Sequence, residues 1–461
     1  MRDKKHACYV LIVISTISYI VYLVAVSYSK VPLMEFSTTC GLKPKDNNTG
    51  PCSNVLEALT KGSWKLKNDL SEKDVVELDI RKALKSKHIS LQRDDDQCGN
   101  THLYTETYFQ TLFNTRPVNF RALCDPDGPK PCCYDNICMD KSTLECQCDR
   151  CYDLRQEIHA ELADWVPDNN QCQVQEFNPQ EACDVITKRF NHIVVMGDSL
   201  MRHVMAGLLI LLRQGPGADS LLHPNTPKEI KQVCTKYYQL LHKQCNNEYI
   251  WKSATLCNGN LKLTLAELYS IDVFKKQKGT ISELDLDEKS LIIMGAGLHD
   301  DLNSQYMIND YIKPALNEIY KERTKLDEAD SNNPVLTRHK HYPSSVLPQL
   351  TNTGSSNGNK HYTDNDENDL SSSKRPSVLW SGIHRPGLLK SLHLVQQDVF
   401  HVLQYNKDIK EFLGKYCIPI LNNEHLSDGV FSIDGTHYGY GVNVLKAKII
   451  VNYISSLNVD G

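Results

Sequence analysis

The longest apolar run lies at the N-terminus, where Cys8 to Ser29 contains no charged residue and is long enough to cross a bilayer as one helix. Arg2, Lys4 and Lys5 precede it and Lys30 follows. The positive-inside rule therefore predicts a cytoplasmic tail over 1–7, a signal-anchor over 8–29 and a lumenal or outer placement for everything beyond. A cleaved signal peptide ending near Ala25-Val26-Ser27 is the alternative, and it would make the chain secreted. Residues 30–52 read as a polar stem. From Asn54 to about Leu91, Val55, Leu56, Leu59, Val75, Val76, Leu78, Ile80 and Leu84 recur at near-helical spacing and predict one or two amphipathic helices. Cys98 to Cys183 shows little periodicity outside Tyr152 to Trp165, so 53–184 reads as a helical and cysteine-rich module.

Near Cys183 the pattern changes. His192-Ile193-Val194-Val195-Met196 is a continuous apolar run of the kind found in strands buried on both faces. Met201, Val204, Met205, Leu208, Leu209 and Leu212 then repeat at helical spacing until Gly215-Pro216-Gly217. Further buried strands are predicted at Leu291 to Met294, Ser377 to Trp380 and Cys417 to Leu421, separated by helical or loop segments. Ile250 to Leu256 and Leu261 to Leu268 flank Cys257-Asn258-Gly259-Asn260, whose Asn-Gly step favours a hairpin. Val442, Leu445, Ile449 and Tyr453 mark a last amphipathic helix. The sum is an α/β domain over 185–456 with a mainly parallel sheet, followed by a tail over 457–461. Residues 327–376, rich in Ser, Asn, Asp, Thr and Lys, read as a disordered insertion.

Composition adds two constraints to this picture. A net charge of -5 over 461 residues supplies no global footprint for nucleic acid, and no motif supports that class. Of the seventeen cysteines, all but Cys8 lie beyond the apolar segment, an even number compatible with full pairing in an oxidising compartment. The dense run Cys124, Cys132, Cys133, Cys138, Cys146, Cys148 and Cys151 sits in a stretch too polar to bury a core, and crosslinks would compensate. Cys148-x-x-Cys151 beside Cys146 admits a metal reading, yet no second C-x-x-C or H-x(3-5)-H pair completes a site, so disulfides rather than a metal are expected. Asn47-Asn48-Thr49 is a glycosylation sequon just past the apolar segment.

The chemistry-bearing residues lie at the two ends of the α/β domain. In Gly197-Asp198-Ser199-Leu200 a glycine lets the backbone turn, and the serine lands where a helix begins. There, backbone N–H groups and the helix dipole favour negative charge developing on a substrate oxygen. The plainer reading is that Asp198 or Ser199 simply caps the helix. Far downstream stands Asp434-Gly435-Thr436-His437. A serine hydroxyl needs a base, and a histidine base needs an acceptor to hold its tautomer; His437 and Asp434 supply both parts from one turn.

With these residues in place the sequence resembles the SGNH or GDSL hydrolases, and within them the PC-esterase branch of glycan and polysaccharide O-acyl enzymes. The matching residues are Gly197-Asp198-Ser199-Leu200 with Arg202 near the start of the domain and Asp434-x-x-His437 near its end, over about residues 185–456. The resemblance implies a flavodoxin-like three-layer α/β/α sandwich, Ser199 as nucleophile, His437 as base, Asp434 as its orienting partner, and no cofactor. It also implies a cysteine-rich module ahead of the catalytic domain. The wider family completes its oxyanion site with a glycine in a second block and an asparagine in a third. Here the third block reads Gly295-Ala296-Gly297-Leu298-His299, so His299 stands in place of the asparagine, and Gly197, Asp198, Arg202, Gly297 and His299 are the oxyanion or substrate-binding candidates. Gly259 is a weaker candidate for the missing glycine. Arg202 reads equally as a binder of an anionic substrate group or as the partner of a nearby acid. Trp380 reads as core or as an aromatic platform for a sugar.

The function expected from this set is O-acetyl transfer to, or hydrolysis from, carbohydrate hydroxyls through a Ser199 acyl-enzyme, with a glycan and an acyl donor as partners. One span and a lumenal body suit a type II membrane protein of the Golgi. The competing class is a non-catalytic lumenal or cell-surface glycan-binding protein that keeps the fold with a degenerate site.

Overall fold

A computed structural model describes residues 52–67, 95–98, 124–213, 221–234, 245, 252–320, 375–387 and 396–457, isolated positions within those spans excepted. The apolar segment, the stem, Asn47, most of the predicted helical stretch beyond residue 67 and nearly all of the insertion lie outside the described residues. No helix among the described residues is long and apolar enough to cross a membrane.

The amphipathic helix expected after Asn54 is short. Asn54 caps α1 (Val55–Ala58) by accepting the Glu57 N–H at 3.2 Å, and the chain then turns into β1 (Gly62–Leu66). Three short strands, β2 (Cys132–Tyr134), β3 (Ile137–Met139) and β4 (Cys151–Asp153), form an antiparallel sheet in the order β3-β2-β4. Its small core consists of Cys98, Cys124, Cys133, Cys138 and Leu154. Disulfides supply what apolar burial does not: Cys98–Cys133, Cys124–Cys138, Cys132–Cys146 and Cys148–Cys151 crosslink this lobe. The two places where three sulfurs crowd together, Cys98/Cys124/Cys138 and Cys132/Cys146/Cys151, are neighbouring bridges of this network.

Next, β5 (Ala163–Pro167) returns to pair antiparallel with β1, which sets Trp64 opposite Trp165 with ring centroids 5.4 Å apart. Each indole finds an acceptor, Trp64 Nε1 donating to Leu426 O at 3.0 Å and Trp165 Nε1 to Leu59 O at 2.8 Å. These tryptophans share one core with the domain that follows, and Gly41–Gly461 forms a single compact unit. Near residue 184, where the sequence predicts a change of module, the core is continuous: β1 and β5 need an apolar face to cover them and find it on the larger domain.

That domain begins with α2 (Pro179–Thr187), started by a reciprocal Asn178/Glu181 capping box. β6 (His192–Gly197) is buried throughout and leads into α3 (Ser199–Arg213); a short α4 (Lys228–Val233) follows. β7 (Ser253–Leu256) and β8 (Leu261–Ala266) form the predicted hairpin, with Asn258 and Gly259 at positive φ, and Cys183–Cys257 ties its turn to α2. Then come α5 (Ile271–Lys276), β9 (Ser290–Gly295), α6 (Ser304–Met307), β10 (Ser377–Ser381), α7 (Val399–Gly414), the two-residue β11 (Ile420–Leu421) and α8 (Tyr440–Ser456). The six strands run in the order β11-β10-β9-β6-β8-β7, all parallel except β7 at the edge. The result is a mixed α/β fold with a mostly parallel sheet and several disulfides, as the apolar pattern predicts.

Alternation along the strands supplies two core layers. Ile193, Val195, Leu263, Leu265, Leu291 and Ile293 face α2, α3 and α8, whereas Val194, Met196, Ile292, Met294, Val378 and Trp380 face α5 and α7. Trp380 is fully buried in the second layer, so it is core and not an exposed platform. The C-terminal ends of β6, β9 and β10 meet at one edge, where open α/β sheets place their ligands.

Candidate active site

Ser199 follows β6 after one intervening residue, and the tightness of that turn comes from Gly197. Its φ is +143°, and a β-carbon there would lie 1.8 Å from the Gly295 carbonyl on the adjoining strand. No L side chain fits this position. Asp198 takes the capping role, its Oδ1 accepting the Leu200 N–H at 2.9 Å while its carbonyl accepts from Met201 and Arg202. The side chain of Ser199 is thereby left for other work.

That work is defined by the turn ahead of α8. Ser199 Oγ lies 2.7 Å from His437 Nε2, across 238 residues of sequence. His437 Nδ1 lies 2.9 Å from Asp434 Oδ2, and Asp434 Oδ1 accepts the backbone N–H groups of Thr436 at 2.9 Å and His437 at 2.7 Å. An ionised carboxylate only accepts, so the His437 proton belongs on Nδ1 and Nε2 is left to accept from the Ser199 hydroxyl. The hydrogen-bond chain Ser199–His437–Asp434 is continuous, and both His437 and Asp434 keep about a fifth of their side-chain surface exposed.

The surroundings are less aqueous than the triad itself. Asp198 is buried, and burial pushes its carboxyl pKa up against the opposing pull of the Leu200 N–H, His299 and His437. His203, one helical turn after Ser199, packs its ring against His437 with centroids 4.9 Å apart. Burial first, and the neighbouring His437, Arg202 and Lys446 after it, hold His203 well below the ordinary histidine range, so a neutral ring backs His437.

The remaining sequence candidates fall into place around this centre. Arg202 pairs with Glu267 just past β8, Nε to Oε1 at 3.2 Å, and Glu267 also meets Lys252, so of its two readings the pairing with an acid is the one observed. Gly297, at φ +135°, sits so close to the Tyr405 phenol that a β-carbon would lie 2.6 Å from its oxygen. Tyr405 in turn donates to Ala296 O at 2.6 Å, and Gln397 donates to Leu298 O at 2.8 Å, which fixes the loop after β9 beside Ser199. His299 lies exposed on that loop with its ring against the edge of Tyr269, centroids 5.3 Å apart. Gly259 is excluded from the site: its turn precedes β8, and β8 runs parallel to β6, so it stands at the opposite end of the sheet from Ser199.

Three residues at the centre were assigned no role from the sequence: His203, His384 and Lys446, each buried. The one signal for His203 is its position four residues after Ser199, on the same face of the helix. His384 lies in the Trp380 to Pro386 segment after β10, whose place at the carboxyl end of a parallel strand is its signal, whereas Lys446 sits inside an ordinary helical pattern and carries none. Comparison with protein-family models, curated proteins and solved structures finds no match to this chain.

Proposed function

We propose that this chain is a serine-dependent acyl-ester enzyme with an SGNH-type, flavodoxin-like α/β/α catalytic domain, acting on O-acyl groups of carbohydrate. The observation that carries the reading is the unbroken hydrogen-bond chain Ser199–His437–Asp434 at the C-terminal edge of a parallel sheet. In the first step His437 Nε2 takes the Ser199 proton as Oγ bonds to the acyl carbon, and the charge on the carbonyl oxygen falls at the start of α3. The bond to the leaving alkoxide then breaks, and His437 returns the proton to that oxygen. Water or a sugar hydroxyl, deprotonated by the same imidazole, takes the acyl group from Ser199 in the second step. Hydrolysis and transfer differ only in that acceptor. The apolar segment Cys8 to Ser29 and the disulfide-bonded body both support a lumenal, membrane-tethered placement, and the Golgi is where a glycan acceptor would be met.

Turnover of an activated acetyl ester tests the assignment. Ser199→Ala removes one half-buried hydroxyl, so the variant should melt like the wild type and lose about a thousandfold or more in kcat. A folded Ser199→Ala protein with wild-type turnover would sink the nucleophile assignment.

A further inference from the structure

Below the triad lies a second chain of hydrogen bonds that the proposed chemistry does not use. Lys446, on α8, is fully buried, and its Nζ lies 2.8 Å from His384 Nδ1. His384, just past β10, is buried too, and its Nε2 lies 2.8 Å from the Thr436 carbonyl. That carbonyl belongs to the turn that carries Asp434 and His437. A carbonyl only accepts, so His384 carries its proton on Nε2, and Nδ1 accepts from the Lys446 amine. The tautomer is thus dictated from both ends.

We propose that Lys446 and His384 form a buried positioning relay that holds the Asp434–His437 turn at the distance from Ser199 that proton transfer requires. This rests on reading Ser199, His437 and Asp434 as the catalytic set. The turn is closed internally by Asp434 Oδ1, but those bonds say nothing of where it sits relative to the sheet. Its anchorage comes from the segment after β10: Gly387 N–H donates to Gly435 O at 2.8 Å, Tyr438 Oη donates to Arg385 O at 2.9 Å, and His384 holds Thr436 O between them. Of these three anchors only His384 is a side chain whose orientation needs a further partner, and Lys446 supplies it. The Tyr438 ring stands edge-on against His384 with centroids 4.8 Å apart and blocks rotation away from Thr436.

A buried ammonium is an expensive way to fill space, since a methionine of the same length would do so without desolvation cost. Burial accordingly pushes the Lys446 amine down to about 7, with Asp198 favouring its charged form. The groups around the relay are Asp198 ahead of α3, His203 on α3, His384 after β10, and Tyr438 ahead of α8. Either protonation state of Lys446 retains an N–H for Nδ1, so the relay survives across neutral pH.

The full chain carries the test, in two parts. Lys446→Met and His384→Ala should fold, as read by circular dichroism, yet lose about tenfold to a hundredfold in kcat with little change in KM, because a misplaced base costs rate and not substrate binding. His384→Gln keeps a donor for Thr436 and an acceptor for Lys446, and it should recover most of that loss. A folded Lys446→Met variant with wild-type kcat would overturn the relay. The second part does not depend on turnover: in protein labelled with 15N histidine, with His384 assigned by its absence from His384→Gln, Nε2 should be protonated and Nδ1 bare. The opposite tautomer would overturn the relay whatever the turnover of the variants. A wild type that turns over no ester, but shows the expected tautomer, would instead count against the acyl-ester reading and leave the relay standing as a structural device.

Discussion

In the proposed mechanism His437 and Asp434 carry unequal shares of one task. Without His437 the Ser199 proton has no acceptor, whereas without Asp434 the imidazole remains but loses the bond that selects its Nδ1–H tautomer. His437→Ala should therefore match Ser199→Ala, Asp434→Ala should retain more residual turnover, and the double variant should be no worse than His437→Ala, since groups acting as a unit lose function together. His299→Ala is the internal control: exposed and turned toward Tyr269, it should leave the proton transfer intact. Should His299→Ala abolish turnover while His437→Ala remains active, the base would lie after β9. These residues were legible because both motifs are short, local turns whose chemistry needs particular residue types. His203 and Lys446 were not, since a polar residue inside an apolar run looks the same whether it faces water or a buried partner.

Among elements, the strand–turn–helix unit β6–α3 was the most legible, because a doubly buried strand has no polar alternation and Gly197 marks its turn. The carbonyl of Gly295 explains why only glycine serves there. Gly197→Ala must either move β9 or distort a backbone already at φ +143°, and it should cost about 3 kcal/mol or more of stability. Gly259→Ala, also at positive φ but with nothing within 4 Å of the added methyl, should cost about 1 kcal/mol. Denaturant midpoints separate the two, and equal losses would show that contact with Gly295 is not what restricts Gly197. Beyond Asn54 the first apolar residues form a helical turn, as their spacing predicts. The strand that follows was not legible, because Trp64 pairs with Trp165 a hundred residues on and a partner that distant leaves no local periodicity to read.

At the scale of the whole molecule, the cysteine count anticipated a crosslinked body, and seven bridges join named pairs among the described residues, with Cys417 bonded as well. Connectivity was beyond the sequence, because many pairings satisfy the same count. So was the sharing of one core between the N-terminal strands and the α/β domain, which depends on faces that meet only in three dimensions. The proposed function rests on the meeting of Ser199 with His437 from opposite ends of the domain. Trapping the nucleophile tests that meeting most directly: the intact protein is treated with a fluorophosphonate ester and the adduct located by peptide mass spectrometry. One adduct on Ser199 is predicted, absent from Ser199→Ala and formed far more slowly by His437→Ala. A folded protein that takes no adduct, or takes it on another residue with Ser199 untouched, would contradict the account.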